Sequence, residues 1–295
     1  MRNKSSKKHG VNSLLNRSQS AMEYLMTYGW AILIIAIVLV ALFSLGIFNS
    51  SNFAPRAQPG SCEVLRNSAQ TSLVGQCNGM LPEYVAQFSL SSNTEIAINQ
   101  VKQPLQEATV VAWVKPKVDQ NGAFGGVIFS WYQNSQYTTI GVHSADGSGW
   151  CWMNGGGCGW IGATYNNWFF IAMTLSSTTG AVKIYLNNRP SQNATLPTET
   201  ASSTSNMAIG YQLPANLRSF NGSITNVQLY NTSLSQSEIQ ALYKEGIGGA
   251  PINVNNLVGW WPLNGNANDY SGNDNNGVPT NVTYTSAWTS GYSAP

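Results

Sequence analysis

The sequence predicts an all-β sandwich joined to a single N-terminal transmembrane helix. Between Tyr84 and Tyr230, short segments rich in Val, Ile, Thr and aromatics alternate with period two and end at Gly and Asn turns. From Tyr24 to Phe48 the chain carries no charge, and the run exceeds the about 20 residues a helix needs to cross a bilayer. Only 9% of the residues are charged, against roughly 25% in ordinary soluble domains. Asn, Ser, Thr, Gly and aromatics dominate the rest, which suits short strands, tight turns and an uncharged polar exterior. This composition excludes a disordered chain and a coiled coil.

The membrane segment comes first. Arg2, Lys4, Lys7, Lys8 and Arg17 all precede residue 18, which leaves 9 basic against 12 acidic residues downstream. Cations before the apolar run and few after it place the N-terminus in the cytoplasm and the C-terminal domain outside the cell. Tyr24, Tyr28 and Trp30 stand where interfacial aromatics are expected. The apolar core is longer than that of a cleaved secretory signal, so the helix is expected to remain in the mature protein. The later cations are scattered, which argues against a nucleic-acid partner.

One carboxylate, Glu23, precedes the apolar run, after Arg17-Ser18-Gln19-Ser20-Ala21-Met22. On its own it is a solvated acid at a helix start, where the dipole favours negative charge. The order of basic leader, small residue, Gln, Glu and long apolar helix resembles the class III signal peptide of archaeal type IV pilin-like proteins. The resemblance implies cleavage between Ser18 and Gln19, with Glu23 becoming the fifth residue. It also implies that Glu23 answers the N-terminal amine of a neighbouring pilin-like subunit, since a lone carboxylate in an apolar bundle is costly until paired. Thr27, Tyr28 and Trp30 depart from a purely aliphatic pilin helix.

Residues 1–18 thus read as a basic cytoplasmic leader, 19–48 as the helix, 49–61 as a linker and 62–295 as the exterior domain. Four cysteines, Cys62, Cys77, Cys151 and Cys158, allow three pairings, of which the local one closes two short loops. An extracellular position favours disulfides over a zinc site, for which neither spacing is a tight knuckle. The strand candidates are Val85–Ile98, Thr109–Val114, Gly126–Tyr132, Thr138–His143, Gly149–Met153, Trp168–Leu175, Val182–Asn187, Met207–Gly210 and Ser223–Tyr230. Leu234–Gly246 is the exception: Ser235 to Glu238 makes a capping box, Ile239, Leu242 and Tyr243 share a face, and Gly246 suits a C-cap.

Four runs in this order, Thr109–Pro116, Asn167–Thr174, Val182–Asn188 and Phe220–Tyr243, together resemble the laminin-G-like, concanavalin-A-like jelly roll. The likeness covers roughly residues 84–290 and implies that fold. The string Leu257-Val-Gly-Trp-Trp-Pro-Leu-Asn-Gly resembles the opening strand of such domains, yet it comes last. Circular permutation, with segment 257–290 returning to its own sandwich, is the expectation, and completion of a neighbour's sandwich is the alternative.

Catalysis is not expected. A nucleophile triad needs a histidine, and His143 is the only one past the membrane run. No two acids flank a strand as a glycosidase pair would. Asp269, Asn273 and Asp274 offer oxygen ligands for Ca²⁺, although Asp-x-Ser-Gly-Asn is also good turn chemistry needing no ion. Trp160 and Tyr165, near the Gly-rich Cys151–Cys158 loop, are the candidate sugar-stacking residues. Asn49, Asn193, Asn221, Asn231 and Asn281 each begin an Asn-x-Ser/Thr glycosylation triplet. The resulting expectation is a membrane-anchored, pilin-like surface protein whose head binds glycans or cells. A non-binding filament or coat subunit and a surface glycosidase are the other two.

Overall fold

A computed structural model describes residues 10–44 and 54–295, except 69, 91, 92, 103, 104, 119, 121–124, 154, 159, 160, 177, 192, 198–203 and 215–217. For residues 10–23 and 25 it describes the backbone alone. The chain divides into two compact units, Met1–Phe53 and Ala54–Pro295.

The first unit is α1 (Gly10–Ser44), 35 residues without proline. Within it Met26–Ser44 has a mean hydropathy of 2.5, long and apolar enough to cross a membrane. A helix suits that solvent because it satisfies every interior backbone group within the segment. Tyr24 and Tyr28, one turn apart, stack with ring centroids 5.6 Å apart.

Among its described residues the second unit holds twenty strands and one α-helix. In chain order come β1 (Arg56–Ala57), β2 (Cys62–Arg66), β3 (Thr71–Gly75), β4 (Leu81–Pro82), β5 (Val85–Phe88), β6 (Glu95–Val101) and β7 (Glu107–Pro116). Then follow β8 (Gly126–Gln133), β9 (Gln136–Val142), β10 (Gly149–Met153), β11 (Gly156–Gly157), β12 (Phe169–Ser176), β13 (Ala181–Leu186) and β14 (Arg189–Pro190). The last are β15 (Ala194–Thr195), β16 (Ser205–Ile209), β17 (Gly222–Tyr230), α2 (Gln236–Glu245), β18 (Leu257–Trp261), β19 (Val278–Thr280) and β20 (Thr283–Thr285). Two large sheets result: a seven-stranded one ordered β11-β10-β9-β8-β16-β6-β19, and a nine-stranded one ordered β14-β13-β12-β7-β17-β5-β20, with β15 on β13 and β18 on β17.

Over the middle of its strands the nine-stranded sheet is buried on both faces. Val110, Ala112 and Val114 of β7 point into the core between the sheets, while Val111 and Trp113 point into a second core. That second core lies under α2 and the C-terminal segment, with Ile239, Leu242, Trp288 and Tyr292 among its members. This is why Thr109–Val114 reads as a nearly continuous apolar run rather than a clean alternation. Helix α2 forms as expected, with Ser235 and Glu238 reciprocally bonded in a capping box and Gly246 at φ 79° closing it.

Two boundaries differ from the sequence reading. The single strand expected over Val85–Ile98 is two, β5 and β6, placed in opposite sheets. The chain turns between them where the Thr94 hydroxyl both accepts from Ser89 N and donates to Ser89 O. Part of the expected linker 49–61 also belongs to the head. β1 pairs in parallel with β4, and the Asn264 amide donates to Ala57 O at 2.8 Å.

The C-terminal segment closes the sandwich of its own chain. β18 pairs with β17, β19 with the edge strand β6, and β20 with β5. Trp261 is fully buried between the sheets, and Trp260 shares the second core with Trp113. The cysteines pair locally, Cys62 with Cys77 and Cys151 with Cys158. The hairpin β2–β3 bearing the first disulfide is fastened by Arg66, which donates to the carbonyls of Ser271, Val254 and Leu257 at 2.8–2.9 Å.

Candidate ligand-binding face

Strand register decides which side chains meet on the outer face of the seven-stranded sheet. One row across it runs Trp152, Thr139, Ser130, Ala208, Ala97 and Val278. The rows on either side, such as Cys151, Ile140, Phe129, Ile209 and Ile96, belong to the core between the sheets. Since successive side chains alternate between faces, the Trp152 row and Trp150 point outward. Tyr132 and Tyr137, paired with each other, lie on the same outer face and are half-buried.

The face is partly roofed. The Ser130 hydroxyl donates to Tyr211 O at 2.7 Å and accepts from Leu213 N at 3.2 Å, so the loop after β16 lies over the strand centres. The Arg218 guanidinium sits over the Trp150 ring, 5.6 Å from its centroid, and burial lowers its pKa. Gly141 makes room for that ring: a Cβ there would stand 2.8 Å from Trp150 Cζ2. Glu95, on β6, is held above the usual carboxylate range by burial.

Beneath this roof four buried polar atoms have no hydrogen-bond partner among the described residues: Thr139 Oγ1, Trp150 Nε1, Trp152 Nε1 and Gln212 Oε1. They belong to neighbouring residues, since Trp152 pairs directly with Thr139, Trp150 pairs with Gly141 two positions along β9, and Gln212 sits in the loop held by Ser130. An orphaned buried polar group costs about 1–3 kcal/mol. Three donors and one acceptor left this way, beside half-exposed aromatic rings, form a site suited to a ligand with apolar faces and polar edges.

The residues singled out from the sequence fall elsewhere. Trp160 and Asn49 lie outside the described residues, and the side chains of Ser18, Gln19 and Glu23 do too. Tyr165 is half-buried, and its hydroxyl donates to His143 O at 2.7 Å. Its ring packs on the Gly147 turn, which makes it a loop brace rather than an open platform. His143 pairs with Asp146 at 3.4 Å, and hydrogen bonds from Ser148 hold that carboxyl below its usual range. Asn193 and Asn281 are exposed, whereas Asn221 and Asn231 are half-buried.

The Asp269 loop is held together by hydrogen bonds of its own. The Asp269 carboxylate accepts from Trp260 N, Ser271 N, Ser271 Oγ and Asn275 N, all at 2.8–2.9 Å. Asn273 turns its amide N–H groups to Leu257 O and Val258 O. Asp274 is exposed at a left-handed turn position, φ 59°. Both oxygens of Asp269 therefore face donors, and the second acid is not directed at the first. These bonds are the turn chemistry of an Asp-x-Ser-Gly-Asn loop. Among the described residues no three His, Cys, Asp or Glu side chains converge.

The class is a two-sheet jelly roll whose seven-stranded sheet carries a partly roofed aromatic face. The model of the Laminin_G_3 family, the concanavalin A-like lectin/glucanases superfamily, matches residues 90–240, and the chain belongs to that family. Among solved structures the chain is similar to a putative carbohydrate binding protein from Bacteroides ovatus, at 16% identity and a TM-score of 0.52, over 73% of this chain and 66% of that one. It is also similar to the heptameric SAP-like pentraxin of Limulus polyphemus, at 15% identity and a TM-score of 0.50, over 69% of this chain and 94% of that one. At these identities the likeness shows the fold. No curated protein matches the chain.

Proposed function

We propose that this is a membrane-anchored, pilin-like cell-surface protein whose jelly-roll head binds glycans on the outer face of the seven-stranded sheet. The observation that carries the binding half is the set of buried, unpartnered polar atoms on Thr139, Trp150, Trp152 and Gln212 beside half-exposed rings. A saccharide stacks its apolar ring face on an aromatic and offers hydroxyls that both donate and accept, which matches three donors and one acceptor. Rotation of Trp152, half-exposed at the edge of the row, admits the ligand to the orphaned atoms. Membership of a superfamily that includes lectins supports the same reading, although one fold hosts many functions.

The test is binding of the full-length chain, in detergent micelles, to an array of oligosaccharides, followed by titration calorimetry on the hits. Trp152→Ala is expected to weaken binding at least tenfold while moving the melting temperature by only a few degrees. Tyr165→Phe is expected to leave affinity unchanged. Undiminished affinity in Trp152→Ala would reject this face as the site.

The anchoring half rests on the apolar segment Met26–Ser44 and on the order Ser18-Gln19 followed by Glu23. N-terminal sequencing of protein from native membranes is expected to give a mature chain beginning at Gln19. Glu23→Ala is expected to abolish its recovery in sheared filaments, because the carboxylate that pairs with a neighbour's amine is gone. A chain that still begins within the basic leader would reduce the helix to a simple signal anchor.

A further inference from the structure

On the outer face of the opposite, nine-stranded sheet, a second cross-strand row runs Lys115, Ser223, Gln87 and Thr283 over the strands β7, β17, β5 and β20. With neighbouring strands about 4.8 Å apart, the row extends roughly 14 Å from its first member to its last. It opens into a groove of about 410 Å³ that Lys117 and Asn166 also line, with the buried Trp288 as part of its wall. That volume lies within the range of small-ligand sites, about 300–1,000 Å³.

The groove gathers positive charge in a unit that is otherwise mildly acidic. Lys115 is held in place, its ammonium donating to Ser290 O at 2.6 Å, and two of its protons remain to give. Both burial and the neighbouring Lys117 push the Lys115 pKa down, so the two cations stand close enough to repel. Among the described lining residues there is no carboxylate to offset them. The neutral members are set for hydrogen bonding as well. Gln87 Nε2 donates to Ser223 Oγ at 2.7 Å, which leaves the Ser223 proton as a donor and Gln87 Oε1 as an acceptor. Two like charges drawn together, with no carboxylate among the described lining residues, favour an anion, and the donor and acceptor row beside them favours a polyhydroxyl chain carrying it.

We propose that this groove is a second binding site, for an acidic saccharide whose carboxylate or sulfate lies between Lys115 and Lys117 and whose hydroxyls meet Ser223 and Gln87. It lies on the sheet opposite the Trp152 face and does not depend on the glycan reading of that face.

The experiment titrates full-length protein in detergent micelles with three probes: a sulfated heparin hexasaccharide, a galacturonate oligomer and neutral cellohexaose. Each is measured at low and at physiological salt on wild type, K117Q, the double variant K115Q/K117Q and W152A. At least one acidic probe is expected to bind, with affinity falling about tenfold or more in the double variant, a smaller amount in K117Q, and little in W152A. A sulfated hit with no galacturonate binding makes the anion a sulfate, and the reverse makes it a carboxylate; both support the site. Because Lys115 also tethers Ser290, melting temperatures are recorded, and K117Q, whose side chain is exposed, keeps the test independent of that tether. Absence of binding by both acidic probes overturns the proposal. Unchanged affinity in the double variant, or loss in W152A alone, overturns it equally.

Discussion

A chain ending at Asn256 is expected to lose the cooperative unfolding transition of its head. The deleted residues supply β18, β19 and β20, which pair with β17, β6 and β5 of the rest of the head. They also supply Trp261, packed against Phe129 with ring centroids 6.2 Å apart, and Trp288, whose Nε1 donates to Pro82 O. Losing one large buried aromatic costs about 3–5 kcal/mol. Removing Trp260, Trp261 and Trp288 together therefore consumes the whole of a typical stability of about 5–15 kcal/mol. Trp261→Ala alone is expected to lower stability by about 3–5 kcal/mol while leaving a folded head. Circular dichroism melts of the truncated and substituted chains in detergent check both. A truncated head that melts like the wild type would mean that the C-terminal strands are decoration, contrary to their place in both sheets.

Asp269→Ala is expected to cost at least about 3 kcal/mol, because it strands four donors at once and each lost bond to a charged acceptor is worth about 1.5–3 kcal/mol. For a domain of this size that is a fall of roughly 10 °C in melting temperature. A chelator such as EDTA, by contrast, is expected to leave the melting temperature unchanged, since hydrogen bonds hold the loop. A chelator-induced fall matching that of Asp269→Ala would restore calcium as the organising group. The pH dependence has a definite sign. Burial, outweighing the hydrogen bonds from Trp260, Ser271 and Asn275, raises the Asp269 pKa above its unfolded value. A raised folded pKa means tighter proton binding in the folded state, so this group's contribution is fully present in acid. It is lost as pH rises through the folded pKa. Comparing wild type with Asp269→Asn between pH 3 and 6 isolates that contribution.

Much of the fold was legible because local physics set it. The capping box of Ser235 and Glu238 and the apolar spacing of Ile239 and Leu242 specify α2 without reference to anything distant. The strand β10 was read at its observed limits, Gly149–Met153, because Gly-rich turns bound it on either side. The corner between β5 and β6 was not read, since its signal is one threonine hydroxyl bonded to a backbone five residues away. The same holds for the linker, where β1 exists only because β4 stands beside it.

The candidate site was less legible than the fold. The aromatic content near Cys151 and Cys158 drew attention to the right stretch, but Trp160 and Tyr165 were singled out because they sit on a loop. Thr139, Gln212 and Trp152 are unremarkable in sequence and become a group only when register sets β9 beside β10 and Ser130 draws the 211–213 loop across. The aromatic alternation in Gly149–Met153 was the one signal that could have found them, had the outward members been followed across the neighbouring strand.

By itself the sequence determined a long uncharged helix, a β-rich exterior domain, the short helix and the family pattern, because periodicity, capping and turn chemistry act over a few residues. Only the tertiary structure decided that Asp269 faces four donors, that the last strands close their own sandwich, and that Lys115, Ser223 and Gln87 share one row. The first needs the loop to fold back onto the start of β18, with every donor within nine residues; the other two depend on strand register and on contacts between residues 136 and 206 positions apart, and no local pattern encodes which distant partner a side chain will meet.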